Sequence, residues 1–198
     1  MSDSGLPQGG RAPGMAPAAD PLEDRSLLDG VRRKDPNALG TFFDHAFPFV
    51  YNVAFRMLGN RTEAEDIAQD VFLKVYRSAD RLDASRNPRP WLSTITANAV
   101  RDFWRLASTS RRTDLDEVTL VAEEGGPSRD AERSEAEATV QRALLQLDPG
   151  DREVVVLKDI QGHRHEQIAE HLGISPAAAR TRYSRAREGL ARLLGSAS

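Results

Sequence analysis

The chain has 198 residues, of which 39% are hydrophobic and 29% charged, with a net charge of −3 and no cysteine. A chain of this size and balance buries one or two small cores. The lack of thiols excludes disulfides, thiolate catalysis and cysteine metal sites, and no run of about 18 apolar residues exists to span a membrane.

Residues 1–23 open with a Gly/Pro/Ala-rich stretch that has no continuous apolar centre. This composition fits a disordered tail and not a secretory leader. Apolar residues then recur at helical spacing, and β-branched runs are scarce, so the expected fold is all-α. Helices are expected over Asp24–Arg33, Asn37–Leu58, Thr62–Arg77, Pro90–Ala107, Ser134–Leu147, Asp151–Ile160, His165–Leu172 and onward from Pro176. Gly59 and Asn60 close the second of these, and Thr62-Glu63-Ala64-Glu65 reads as a capping box for the third. Between Thr113 and Arg133 the apolar pattern fades around Gly125-Gly126-Pro127-Ser128, which marks a linker. Two small helical domains follow, over 24–108 and 134–195, joined by an acidic tether over 109–133. The charge is segregated to match: residues 71–112 hold nine Lys/Arg against three Asp, and 113–138 hold two Arg against nine Asp/Glu. That pattern suits two modules facing nucleic acid.

The third helix has an apolar row of Ile67, Val71 and Val75 with Ala68, Phe72 and Tyr76 beside it. Asp66, Gln69, Asp70, Leu73 and Arg77 form a polar face around one leucine, as suits contact with a large partner. Downstream, the polar loop Arg81-Leu82-Asp83-Ala84-Ser85-Arg86-Asn87 leads into a helix with Trp91, Ile95, Ala99 and Phe103 on its expected buried side. Asn98, Arg101 and Arg105 make one outward stripe. A basic loop beside an amide and two guanidinium groups suits a displaced single strand, whose bases need hydrogen bonds and whose phosphates need charge.

The last two helices form a helix-turn-helix. Ile168, Ala169 and Leu172 share a face, Gly173 supplies a left-handed helix end, and Ser175-Pro176 starts the next helix with a capping hydroxyl and a ring that has no N–H to lose. In that helix Ala179, Tyr183, Ala186 and Leu190 face inward, leaving Arg180, Thr181, Ser184, Arg185 and Arg187 outward. Five Arg against one Glu over 176–192 give a chain of net negative charge one strongly basic helix, as base edges and phosphates require.

Together these motifs resemble the bacterial RNA polymerase sigma factors of the two-domain, extracytoplasmic-function type. Asp66-x-x-Gln69-Asp70-x-Phe72-x-Lys74-x-Tyr76-Arg77 is similar to that family's polymerase-clamp-binding helix. Trp91-Leu92 with Ile95, Asn98, Asp102 and Arg105 is similar to its promoter-melting helix, and 147–190 to its upstream-element reader. The resemblance implies that Asp66, Gln69, Asp70, Phe72 and Lys74 contact the clamp of the polymerase largest subunit. Arg81, Leu82, Asp83, Ser85, Arg86, Asn87, Asn98, Arg101 and Arg105 would meet the minus-ten element. Arg180, Thr181, Arg182, Ser184, Arg185 and Arg187 would meet the minus-thirty-five element.

It also implies a cytoplasmic protein that is not an enzyme and carries neither cofactor nor metal. Its partners would be core RNA polymerase, promoter DNA and an anti-sigma factor. The acidic linker would act as a hinge and compete with phosphate for the basic surfaces. The alternative is a helix-turn-helix regulator of duplex DNA, which leaves the first domain's motifs unused. A zinc-hydrolase reading of His165-Glu166 fails because Ala169 stands where the second histidine is needed and His171 lies about 240° around the helix. The sequence therefore assigns His163, His165 and His171 to the solvent.

Overall fold

A computed structural model describes residues 20–110 and 131–195; most of the expected tail and acidic linker lies outside the described residues. The described residues form helices α1 (Arg25–Arg32), α2 (Pro36–Leu58), α3 (Arg61–Arg77), α4 (Arg89–Ser110), α5 (Ala131–Leu145), α6 (Pro149–Val155), α7 (His165–Leu172) and α8 (Pro176–Gly195). A single π-type turn, Val156–Ile160, continues α6.

The helix ends follow local chemistry. Gly59 and Gly173 adopt the left-handed conformation at the ends of α2 and α7, with φ of 76° and 66°. Ser175 Oγ accepts from the Ala178 N–H at 3.1 Å to start α8. The start of α3 differs from expectation: Asn60, not Thr62, is the cap, its Oδ1 accepting from the Glu63 N–H at 3.1 Å. Asn60 caps the Glu63 N–H two residues before the expected cap, so the helix starts at Arg61.

Two further expectations are corrected. Residues 20–23 are no tail: Pro21–Glu23 form a 3₁₀ turn capped by Asp20, and Leu22 is completely buried. Arg89 holds this turn, donating to Asp20 Oδ2 at 2.6 and 2.9 Å, while Asn87 donates to Glu23 Oε1 at 2.7 Å. In α4 the fully buried row is Leu92, Thr96, Ala99 and Val100; Trp91, Ile95 and Phe103 are only half-buried. Thr96 fits this row because its hydroxyl donates to the Leu92 carbonyl at 2.8 Å, so no polar group is stranded.

Helices α1–α4 pack around Phe42, Val50, Val53, Met57, Ile67, Val71, Val75 and Leu92. Helices α6–α8 pack around Val154, Val156, Leu157, Ile168, Ala169 and Ala179, and these belong to the same continuous core. The two halves therefore meet directly. The C-terminal end of α2 supplies much of that junction. Gln141 of α5 donates to the Phe55 carbonyl at 3.1 Å and accepts from Arg56 at 3.3 Å. Arg152 of α6 donates to the Met57 carbonyl at 2.5 Å and to the carbonyls of Leu144, Leu145 and Leu147 at 2.9, 2.8 and 3.1 Å. One buried guanidinium thus satisfies orphan carbonyls at the ends of two helices, at the negative pole of each. No described helix is long and apolar enough to cross a membrane.

Candidate nucleic-acid interface

On α3 the apolar row faces the core, and the opposite side is open. Asp66, Gln69, Asp70 and Arg77 are exposed, with Leu73 at 54% exposure among them. Leu73 thus presents an apolar side chain to water, flanked by carboxylates and an amide. Phe72 and Lys74 are placed differently. The Phe72 ring packs against Phe43 at 4.7 Å and stacks on Phe47 at 6.2 Å, and Lys74 pairs with Asp102 of α4 at 3.7 Å. Both brace the helix that presents the face.

The loop from Arg81 to Asn87 alternates. Arg81, Asp83, Ser85, Arg86 and Asn87 are exposed, whereas Leu82 is 3% exposed within the core. Leu82 is therefore corrected from a DNA contact to the anchor of the loop, because burying its side chain stabilises the fold by roughly 1.5–3 kcal/mol. Asp83 Oδ1 accepts from the Ser85 N–H at 2.9 Å and its hydroxyl at 2.6 Å, and Arg86 pairs with Asp83 at 3.2 Å. The hydrogen bonds from Ser85 hold the Asp83 carboxyl below its ordinary pKa. The loop's shape is thus set by its own side chains and by the Asp20–Glu23 turn, which the sequence did not show.

The outward stripe of α4 is broken in the middle. Asn98 and Arg105 are exposed, Arg105 pairing with Asp102 at 3.1 Å. Arg101 instead turns toward α6 and α7: its Nη2 donates to Glu153 Oε1 at 2.8 Å and lies 2.6 Å from His171 Nε2. His171 Nε2 is itself 2.9 Å from Glu153 Oε1. Burial alone would raise the Glu153 carboxyl, but hydrogen bonds from His171 and Arg101 outweigh it and hold the group ionised below the ordinary range. One donor of the cluster, Arg101 Nε, is buried without a partner.

The histidines are also not at the solvent. The His163 residue and the His171 side chain are each 5% exposed. His163 Nε2 is hydrogen-bonded to Ser93 Oγ of α4 at 2.6 Å. His165 packs against Tyr183 at 5.3 Å, its Nδ1 buried and unpartnered. Among the described residues, no three His, Cys, Asp or Glu side chains converge as metal ligands.

The second helix of the helix-turn-helix presents Arg180, Thr181, Ser184, Arg185 and Arg187 to solvent, over buried Ala179 and Ala186. Arg182 is half-buried. Arg182 Nε donates to Asp151 Oδ1 at 3.0 Å, and Arg185 Nη2 donates to the same oxygen at 2.9 Å. Burial pushes Asp151 up, but the hydrogen bonds from Arg185 and Arg182 prevail and keep it below the ordinary carboxylate value. Asp151 therefore fixes the direction of two guanidinium groups at the edge of the basic face, and the Arg182 guanidinium lies directly over Gly150. Asp151, Arg152 and Glu153, three charged residues ahead of a valine run, orient the arginines of the site or join the two halves, and sequence reasoning gave them no role.

The arrangement matches two models of one family, Sigma-70 region 2 over residues 42–109 and Sigma-70 region 4 over 137–190. RNA polymerase sigma factor CarQ of Myxococcus xanthus is 38% identical over 173 residues, covering 85% of this chain and 95% of CarQ. The ECF RNA polymerase sigma factor SigW of Bacillus subtilis is 32% identical over 179 residues, covering 86% and 96%.

This chain is an ECF-type RNA polymerase sigma factor.

Among solved structures, the sigma factor RpoE from Bartonella quintana, in complex with the anti-sigma factor NepR, superposes with a TM-score of 0.61 at 26% identity, covering 76% of this chain and 92% of RpoE. As a sigma factor, the chain works with core RNA polymerase and promoter DNA to begin transcription at defined sites. Its all-α fold carries region 2 at the front and region 4 at the back.

Proposed function

We propose that the two regions divide promoter recognition as follows. Asp66, Gln69, Asp70 and Leu73 dock on the clamp of the polymerase largest subunit. The loop residues Arg81, Asp83, Ser85, Arg86 and Asn87, with Asn98, Arg101 and Arg105, hold the opened minus-ten strand. Arg180, Thr181, Ser184, Arg185 and Arg187 read and grip the minus-thirty-five duplex, with Arg182 and Asp151 aligning Arg185. Phe72 and Lys74 support the clamp face from beneath. The sigma factor makes and breaks no bond itself, acts in the cytoplasm, and is held in check by an anti-sigma factor, as RpoE is bound by NepR in its solved complex.

The observation that carries this reading is the pair of exposed faces on α3 and α8, one a ringed leucine and the other a row of guanidinium groups. Neither face is needed by the core, and each has the chemistry of its partner. The elements named for minus ten and minus thirty-five lie about 25 base pairs apart, or roughly 85 Å along B-form DNA. The two halves must therefore separate to reach both, and the 20 residues from 111 to 130 extend at most about 70 Å toward that span.

The test is transcription from a randomised promoter library with core polymerase and the purified chain. Transcripts should arise from templates sharing two short elements at fixed spacing. Starts no more frequent than with core enzyme alone would end this reading.

A further inference from the structure

The turn that precedes α1 has no part in the division of labour, yet it is fastened to the loop that does. Leu22 is completely buried and anchors the turn in the core. Asp20 Oδ2 accepts from Arg89 Nη2 and Nε at 2.6 and 2.9 Å, and the Arg89 guanidinium lies 4.9 Å from the centre of the Phe49 ring of α2. Arg89 is the first residue of α4, so the turn is tied to the point where the minus-ten loop enters that helix. Glu23, held on this frame, reaches the loop itself through Asn87.

Asn87 stands between two groups of fixed character. The Glu23 carboxylate at 2.7 Å accepts, and the Arg89 backbone N–H at 2.8 Å donates. Only one orientation of the amide satisfies both, with Nδ2 toward Glu23 and Oδ1 toward Arg89. Turned over, its oxygen would face a carboxylate and its N–H groups another N–H. These bonds use one of the two amide N–H groups and one of the two oxygen lone pairs, and Asn87 is exposed. A donor and an acceptor remain in a set order, which is what a base edge needs for recognition by paired hydrogen bonds. Asp83, Ser85 and Arg86, by contrast, are bonded to one another within the loop.

We propose that Glu23 is a positioning residue for minus-ten recognition: it fixes the orientation of the Asn87 amide and so sets a base preference from 64 positions upstream. This rests on the assignment of Asn87 to the minus-ten strand. Without Glu23 only the neutral bond to Arg89 opposes a flip, the charge-assisted one being the stronger. The amide then meets a base with its donor and acceptor in either order.

The test is transcription by core polymerase and the full chain from a library randomised at the minus-ten element. Asn87→Ala and Glu23→Ala should each weaken the preference for the best base about fivefold, at one and the same position. Glu23→Gln, which keeps an acceptor oxygen within reach of Nδ2, should restore most of it. Glu23→Ala should add nothing in an Asn87→Ala background. Glu23 is exposed, so the thermal midpoint and the affinity for core polymerase should stay as in the unaltered chain.

An unchanged preference in Glu23→Ala beside an altered one in Asn87→Ala overturns the proposal alone. So does a loss spread over every position, an additive loss in the double variant, or no recovery with Glu23→Gln. Should Glu23→Ala lower the thermal midpoint, the double variant decides, since a loss through instability would persist in the Asn87→Ala background. No change in Asn87→Ala removes the assignment of Asn87 and the proposal with it. Initiation by the unaltered chain with core enzyme is scored separately, and its failure ends the division of labour itself.

Discussion

Helices α3 and α4 lie side by side in one domain, each with a polar face, and the other half of the molecule treats them oppositely. The α3 face stands open around Leu73, while the middle of the α4 stripe is gripped by Glu153 and His171. Both faces would have looked equally available from spacing alone. The difference shows that the partners of a polar residue on a helix face are decided by which neighbouring helix docks there, as Glu153 and His171 do at Arg101.

Arg152→Ala should break this comparison most severely. It strips donors from four carbonyls, one on α2, two in the last turn of α5 and one just beyond it, and buried acceptors left without partners cost about 1–3 kcal/mol each. A loss of at least about 3 kcal/mol is expected in denaturant unfolding, with the domains apart before region 2 melts. Arg185→Ala should leave the two-domain contact alone and cost about 1–3 kcal/mol in promoter binding with altered sequence preference. Competition binding against variant minus-thirty-five sequences reads it.

Asp66→Ala sharpens the other side of the contrast. It should weaken association with core polymerase by about 1 kcal/mol or more, while thermal stability stays as it was. Pull-down titration with core enzyme is the measurement.

The smallest effect concerns acidity. Burial, and then the charge of His171, lower the pKa of His163 below its usual 6.5. Ser93 faces it directly from α4, and His171, paired with Arg101 and Glu153, is the charged neighbour whose field it feels. The folded state therefore binds this proton less readily than the unfolded chain. Its stability is complete above about pH 6.5 and is lost progressively as the pH falls from there toward the lowered value. The denaturant midpoint of the full chain should fall on acidification through that range, and His163→Asn should flatten the response; an unchanged midpoint would count against a buried neutral His163 beside Ser93.

Much of the architecture was legible because it depends on neighbours a few residues away. Gly173 needs only its own φ, Ser175 reaches Ala178, and the inward row of Ala179 and Ala186 follows from helical pitch. The Asp66–Gln69–Asp70 face and the basic side of α8 were readable for the same reason. Where a local reading slipped, at Asn60 and in the one-residue rotation of α4, two solutions of similar energy competed and packing chose. Leu22 and Leu82 were misplaced because a lone leucine in a polar stretch has no period to declare its direction.

The sequence by itself determined the helices, the caps at Gly59, Gly173 and Ser175, the family motifs and the two basic modules, since propensity, periodicity and charge act within a turn or two of chain. Only the tertiary structure decided that Arg152 reaches a carbonyl 95 positions away, that His163 and Ser93 meet across 70, and that Arg101 pairs with Glu153. Those pairings join groups whose residue types promise a partner but do not name it. A buried charge or imidazole is tolerated wherever the fold supplies its complement, and that place is set by the packing of whole helices.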